Sequence, residues 1–166
     1  MLNETIDEGG DILKTDTMTV LVVEPEQPPY VKEIGDSLHS LQAEVGGHIE
    51  AIYPFDDPVA IICNEEGKLL GLPLNRALRD EDHHVYDVVA GTFLVAGLGA
   101  EDFCSLNEEQ IKKYSEHFQT PELFLRLNGR MLVIPAEEKP HREKQASDIE
   151  RQRNTGPKTP HKNAER

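Results

Sequence analysis

The sequence is poor in the features that most often betray a function. It has two cysteines in 166 residues, Cys63 and Cys104. That is too few for a disulfide scaffold, and with no secretory segment the usage fits a reduced, cytoplasmic protein. No apolar run approaches the roughly 18 residues of a membrane span. No CxxC, HxxxH or HExxH spacing exists, and no lysine follows Gly46-Gly47, which removes the common metal-site and P-loop signatures. Bases are also scarce: 17 Lys and Arg stand against 31 Asp and Glu, a formal net charge of −14.

The imbalance is uneven, with net −4 over residues 1–17, −12 over 18–134 and +2 over 135–166. An acidic surface repels phosphates, so direct nucleic-acid binding is disfavoured. The same surface attracts partners with a basic face, including nucleic-acid-binding proteins with a cationic groove. Acidity also serves plain solubility.

Residues 1–17 are polar and read as a flexible leader. Residues 136–166 hold almost no large apolar side chains, cannot repay the entropy of folding, and read as a disordered tail. A single domain over 18–135 remains. Thr19–Val23 is a β-branched run ended by Pro25, and Tyr30–Ile34 follows as its hairpin partner. Asp36 is the expected N-cap of a helix whose stripe is Leu38, Leu41 and Val45, with Gly46 at its C-terminal stop. His48–Tyr53 and Val59–Cys63 are strands, and Asn64–Gly67 is a turn. Leu69–Ala77, with Gly71 and Pro73, predicts an irregular wrap or a short helical turn. Tyr86–Leu98 predicts one buried strand, or two with a bend at Gly91. Asn107 and Gln110 form a capping box, with Leu106 and Ile111 as its staple. Asn128-Gly129 between two apolar runs is a hairpin turn. The order predicts an α+β fold: a small mixed sheet with about two helices, a β-grasp-like ββαββ opening and a C-terminal β-hairpin.

The remaining candidates for chemistry are weak. Gly46-Gly47 follow a helix and precede a strand, the reverse of a phosphate loop, so they face the negative end of the helix dipole. Gly97-Leu98-Gly99 precede a helix, but Glu101 and Asp102 intervene and oppose an anion. His83, His84, Cys63 and Cys104 lack metal-ligand spacing, so neither a metal nor a cofactor is expected. Cys104 with His117 as base would require a chance approach in the fold. Adjacent acids recur at Asp56-Asp57, Glu65-Glu66, Glu81-Asp82, Glu101-Asp102 and Glu108-Glu109. They suit a solvated surface better than a hydrolytic pair. Asp56, Asp57, Glu81, Asp82, Glu101 and Asp102 compose a candidate acidic surface that could imitate phosphates.

Several motifs together carry a resemblance. Val45-Gly46-Gly47-His48-Ile49-Glu50, Asn64-Glu65-Glu66-Gly67-Lys68, Leu72-Pro73-Leu74-Asn75, and Asp87 with Gly91-Thr92 occur in the order seen in the domain of unknown function 3846 family. The chain resembles that family over about Met18 to Gly97, and its longer members through the following helix and hairpin. The resemblance implies a setting in phages, plasmids and conjugative elements, and it supplies no catalytic residues. It also singles out Glu50, Asn64, Glu65, Lys68 and Asn75 as candidate binding residues, although the structural reading, a turn at Asn64–Gly67 and a short-helix cap at Asn75, comes first. The expectation is a non-enzymatic acidic protein of a mobile element. Its partner would be a host or element-encoded protein with a basic surface, for instance a defence nuclease blocked in anti-CRISPR or antirestriction fashion. The alternative is a small-molecule module that sequesters a nucleotide signal.

Overall fold

A computed structural model describes residues 3–6 and 12–136. The expected disordered tail, from residue 137 on, lies outside the described residues. Within the expected leader, β1 (Asn3–Ile6) and β2 (Ile12–Thr15) pair antiparallel.

The centre is an antiparallel sheet in the order β4-β3-β9-β6-β5, with β10 added to β9. Its strands are β3 (Thr17–Val23), β4 (Tyr30–Gly35), β5 (Ile49–Ile52), β6 (Val59–Asn64), β9 (Phe93–Leu98) and β10 (Phe103–Cys104). The three inner strands β3, β9 and β6 are covered on both faces, which explains why they read as continuous apolar runs rather than alternating ones. The ββαββ opening is present as β3-β4-α1-β5-β6. All the sheet pairings are antiparallel, including β3 with β9, so no parallel pair occurs among the described residues.

One face of the sheet carries helix α1 (Leu38–Val45), which packs Leu41 and Val45 onto Val20, Val22, Ile62 and Leu94. The N-cap is Ser37, whose hydroxyl accepts from Ser40 N at 3.1 Å. The Asp36 expected there instead donates its N–H to Asp16 O, closing the β3–β4 pair. The helix is only two turns long, and Leu38, in its first turn, is solvent-exposed. Gly46 ends the helix with φ 77°, a conformation that costs a side chain about 1 kcal/mol or more.

The opposite face is covered by helix α2 (Glu108–His117) and by the two-stranded ribbon β7 (Leu74–Arg79) and β8 (Val85–Ala90). Leu78, Val89, Leu106, Tyr114 and Phe118 pack there against Leu21, Val59, Ile61 and Phe93. The capping box of α2 forms as expected, with Asn107 Oδ1 accepting from Gln110 N and Gln110 Oε1 from Asn107 N. The apolar run before α2 divides at Gly91 into β8 and β9, which belong to different sheets. The segment expected to be irregular, 69–77, is a turn only through Gly71; β7 begins directly after Pro73. A register shift between Leu74 and Arg76 bulges β7, and both polar residues there, Asn75 and Arg76, are buried.

The C-terminal hairpin pairs β11 (Glu122–Leu127) with β12 (Arg130–Pro135) through Asn128-Gly129, whose φ values of 51° and 77° are those of the two-residue turn the sequence predicts. Helices and strands are segregated rather than alternating, so the fold is α+β.

Candidate functional site

Strand alternation begins the site. Glu50 pairs with Cys63 and Ile52 with Ile61 across β5 and β6, so Glu50 and Ile52 share the face that β8 partly covers. After Asn64 the chain must turn back beneath β8. Gly67 makes this possible, because a Cβ there would meet Ala90 O at 2.8 Å. Asn64 locks the turn: its Oδ1 accepts from Glu66 N at 2.9 Å, and its Nδ2 donates to Val45 O, at the C-terminal end of α1. The result is a groove of about 320 Å3 between β5 and β8, closed at one end by the 65–69 turn.

Four of the five candidate binding residues, Glu50, Asn64, Glu65 and Lys68, line this groove, together with Asp87. Lys68 forms an ion pair with Asp87. Burial pushes the Asp87 carboxyl up, but the Lys68 ammonium and the Val88 N–H outweigh it and hold the group below the usual carboxylate range. Glu50, Glu65 and Asp87 therefore face one lysine that is already paired, and the walls are aliphatic, from Ile52, Leu69, Val88 and Val89. Asp87 stood in the motif that carried the family resemblance. Its membership of the site needed the pairing of β8, which local sequence does not show.

Asn75 does not line the groove. It is fully buried, and its Nδ2 donates to Val23 O and Gly91 O at 2.8 and 2.9 Å, tying β7 to β3 and to the β8–β9 bend. The reading of Asn75 as the cap of a short helix also fails, because it sits in the β7 bulge. Its role is to satisfy the backbone carbonyls at the end of β3 and at the β8–β9 bend.

The acidic candidates divide. Leu98 N donates to Pro58 O, which brings the β5–β6 and β9–β10 loops to one end of the central sheet with exposed Asp56, Glu101 and Asp102. Asp57 is spent internally on Lys113 and on the Tyr114 hydroxyl. Glu81 and Asp82 lie on the β7–β8 loop and do not line the groove.

Little here suits covalent chemistry. Burial, with Glu50 and Asp87 nearby, pushes the Cys63 thiol to about 11, so it stays protonated at neutral pH. Cys104 is exposed on β10. The His117 ring packs edge-on against Phe118 and Phe55, and burial lowers its proton affinity. Asp80, Asp82 and His84 offer ligand atoms within 4.8 Å of one another, but all are exposed, and Asp80 Oδ1 already accepts from Asp82 N and His84 N within the turn. A more open hollow of about 380 Å3 lies at Gly46-Gly47. Both glycine N–H groups donate to Gln42 O, so neither is free to hold a phosphate.

No helix among the described residues is long and apolar enough to cross a membrane. No curated protein and no solved structure matches the chain. The model of a family described as a domain of unknown function, DUF3846, matches residues 18–119, from β3 through α2, and so contains the whole groove while leaving β1, β2, β11 and β12 outside. The chain belongs to the DUF3846 family.

Proposed function

We propose that the protein is a non-enzymatic interaction protein whose acidic groove between β5 and β8 receives a basic side chain or extended basic segment of a protein partner. The observation that carries this reading is the composition of the groove: three carboxylates, one ammonium already bound to one of them, and aliphatic walls. Lysine and arginine have the matching shape, an apolar stem and a cationic head. Exposed Asp56, Glu101 and Asp102 at the end of the sheet add long-range attraction for a basic partner. The partner class that fits the resemblance to mobile-element proteins is a host defence nuclease, whose nucleic-acid channel is cationic.

The alternative, sequestration of a nucleotide signal, fits the groove less well. Phosphates would enter beside Glu50, Glu65 and Asp87 with only the paired Lys68 to receive them.

Titration calorimetry with a nona-arginine peptide tests the electrostatic core of the proposal. Affinity should fall at least tenfold between 50 and 300 mM salt, as screening shortens the reach of exposed charges. Affinity that holds steady across that range would overturn the reading.

A further inference from the structure

β5 is an outer strand of the central sheet and pairs with β6 alone. One contact fixes the direction of its backbone groups: Glu65 N donates to His48 O at 2.9 Å, in register with the β5–β6 pairing. Antiparallel partners alternate between hydrogen-bonded and open pairs, so Glu50 and Ile52 aim their N–H and C=O at β6. Those of Ile49 and Ala51 point outward and have no partner among the described residues. Sheets usually blunt such an edge with lysine, proline or a bulge. The other outer strand, β4, carries Lys32, held by Glu44. β5 has none of these devices: it reads Ile-Glu-Ala-Ile, and its register with β6 is unbroken. Its one charge, Glu50, lies in the groove. Exposed apolar side chains stand at both ends of the edge, Leu69 in the turn that closes the groove and Tyr53 directly after β5.

We infer that an extended basic segment of a protein partner adds to β5 as a further strand of the sheet. The inference rests on the groove reading above and gives it a binding mode and a sequence pattern. Every pairing in this sheet is antiparallel. A segment added in the same sense exchanges backbone hydrogen bonds with Ile49 and Ala51. The residue between those two contacts lies opposite Glu50 in an open pair, where Cα atoms approach to about 4.5 Å. Its side chain shares the face of Glu50, so a lysine or arginine there enters the groove that also holds Glu65 and Asp87. Neither Glu50 nor Glu65 is in an ion pair among the described residues. The flanking residues of the segment fall on the other face, beside Ile49 and Ala51, where apolar side chains fit. The pattern recognised is therefore apolar-basic-apolar. A second copy of this chain is a poor occupant, because its own β5 edge sets another Glu50 on the same face.

A seven-residue peptide of alternating valine and arginine, with valine at both ends, tests this by titration calorimetry against the full chain. Paired with β5, its arginines share the groove face and its valine N–H groups point at the edge. Methylating the backbone nitrogens of two inner valines should cut affinity at least tenfold. Methylating two arginine nitrogens instead leaves charge and composition the same and should cost less than about threefold, because those N–H groups point away from β5. Amide hydrogen exchange read by NMR should show new protection at Ile49 and Ala51 when the unmethylated peptide binds. Methylated forms of equal affinity, protection on β4 instead of β5, or an alternating peptide that does not bind would each overturn strand addition, even where nona-arginine binds and the groove reading stands. Failure of nona-arginine as well would overturn both.

Discussion

Arg76 on β7 donates its Nε and Nη2 to the carbonyl oxygen of Phe118, at 3.3 and 2.9 Å, so a buried cation closes the C-terminal end of α2. Nη2 also donates to Gln27 O at 2.7 Å, and Nη1 to Asn75 Oδ1 at 2.9 Å. One side chain thus ties β7, α2 and the β3–β4 loop together, all on the side of the sheet where the groove opens. Burial lowers the proton affinity of the guanidinium, and Glu122 acts the other way. Among the described residues no carboxylate touches it, and helix-end and loop carbonyls carry the compensation.

Arg76→Lys should destabilise the protein by about 2–4 kcal/mol. A single ammonium cannot reach the Phe118 and Gln27 carbonyls together, and the unmet acceptors are buried. Urea denaturation measures this, with a lowered midpoint and little change in slope. A loss under about 0.5 kcal/mol would show that the fork is dispensable.

Asn75→Ala separates structure from binding. It removes the donors to Val23 O and Gly91 O and should cost about 1–3 kcal/mol. At temperatures where the variant is folded, its affinity for a basic peptide should match the wild type. A stable variant that has lost binding would return Asn75 to the list of contact residues.

Asp57 and Tyr114 give the pH dependence. Lys113 first, and then the Tyr114 hydroxyl at 2.6 Å, hold the Asp57 carboxyl below its usual range. The native state therefore binds this proton less readily than the unfolded chain. The stabilisation is complete above the ordinary carboxylate value near 4 and is lost as pH falls through the lower native value. Asp87 shifts in the same direction. Asp57→Asn should lower the melting temperature at pH 7 and flatten its decline below about pH 4, while Tyr114→Phe should cost about 1 kcal/mol. A decline below pH 4 that is equally steep in Asp57→Asn would contradict the assignment.

The two thiols should differ. Cys63 is buried with its thiol raised to about 11, whereas Cys104 is exposed. Iodoacetamide at pH 8 should alkylate Cys104 within minutes and Cys63 only in denaturant, as mass spectrometry of the peptides reads directly. Fast labelling of Cys63 in the folded protein would mean that the floor of the groove opens.

Much of the fold was legible because local chemistry and tertiary context agree. The Asn107/Gln110 capping box, the Asn128-Gly129 turn and the Gly46 stop each satisfy their own backbone, and all three appear where the sequence sets them. β7 was not legible. Its Pro73 start, its bulge and its buried Asn75 and Arg76 have the polarity of a loop, and only side-chain bonds to distant carbonyls make that polarity tolerable inside. The groove was legible in part. Glu50, Asn64, Glu65 and Lys68 came from the family motifs, but their meeting with Asp87 depends on where β8, a strand the sequence predicts, is laid over β5 and β6, which local sequence does not show.

The central claim, that the groove acids receive a basic partner, is tested most directly by two charge reversals of equal size. Glu50→Lys/Glu65→Lys alters the groove, and Glu81→Lys/Asp82→Lys alters the β7–β8 loop, each raising the net charge from −14 to −10. Calorimetry against nona-arginine at 100 mM salt should show at least a tenfold loss of affinity for the groove pair and less than about a threefold loss for the loop pair. Equal losses in the two would show that overall charge, and not the groove, does the binding.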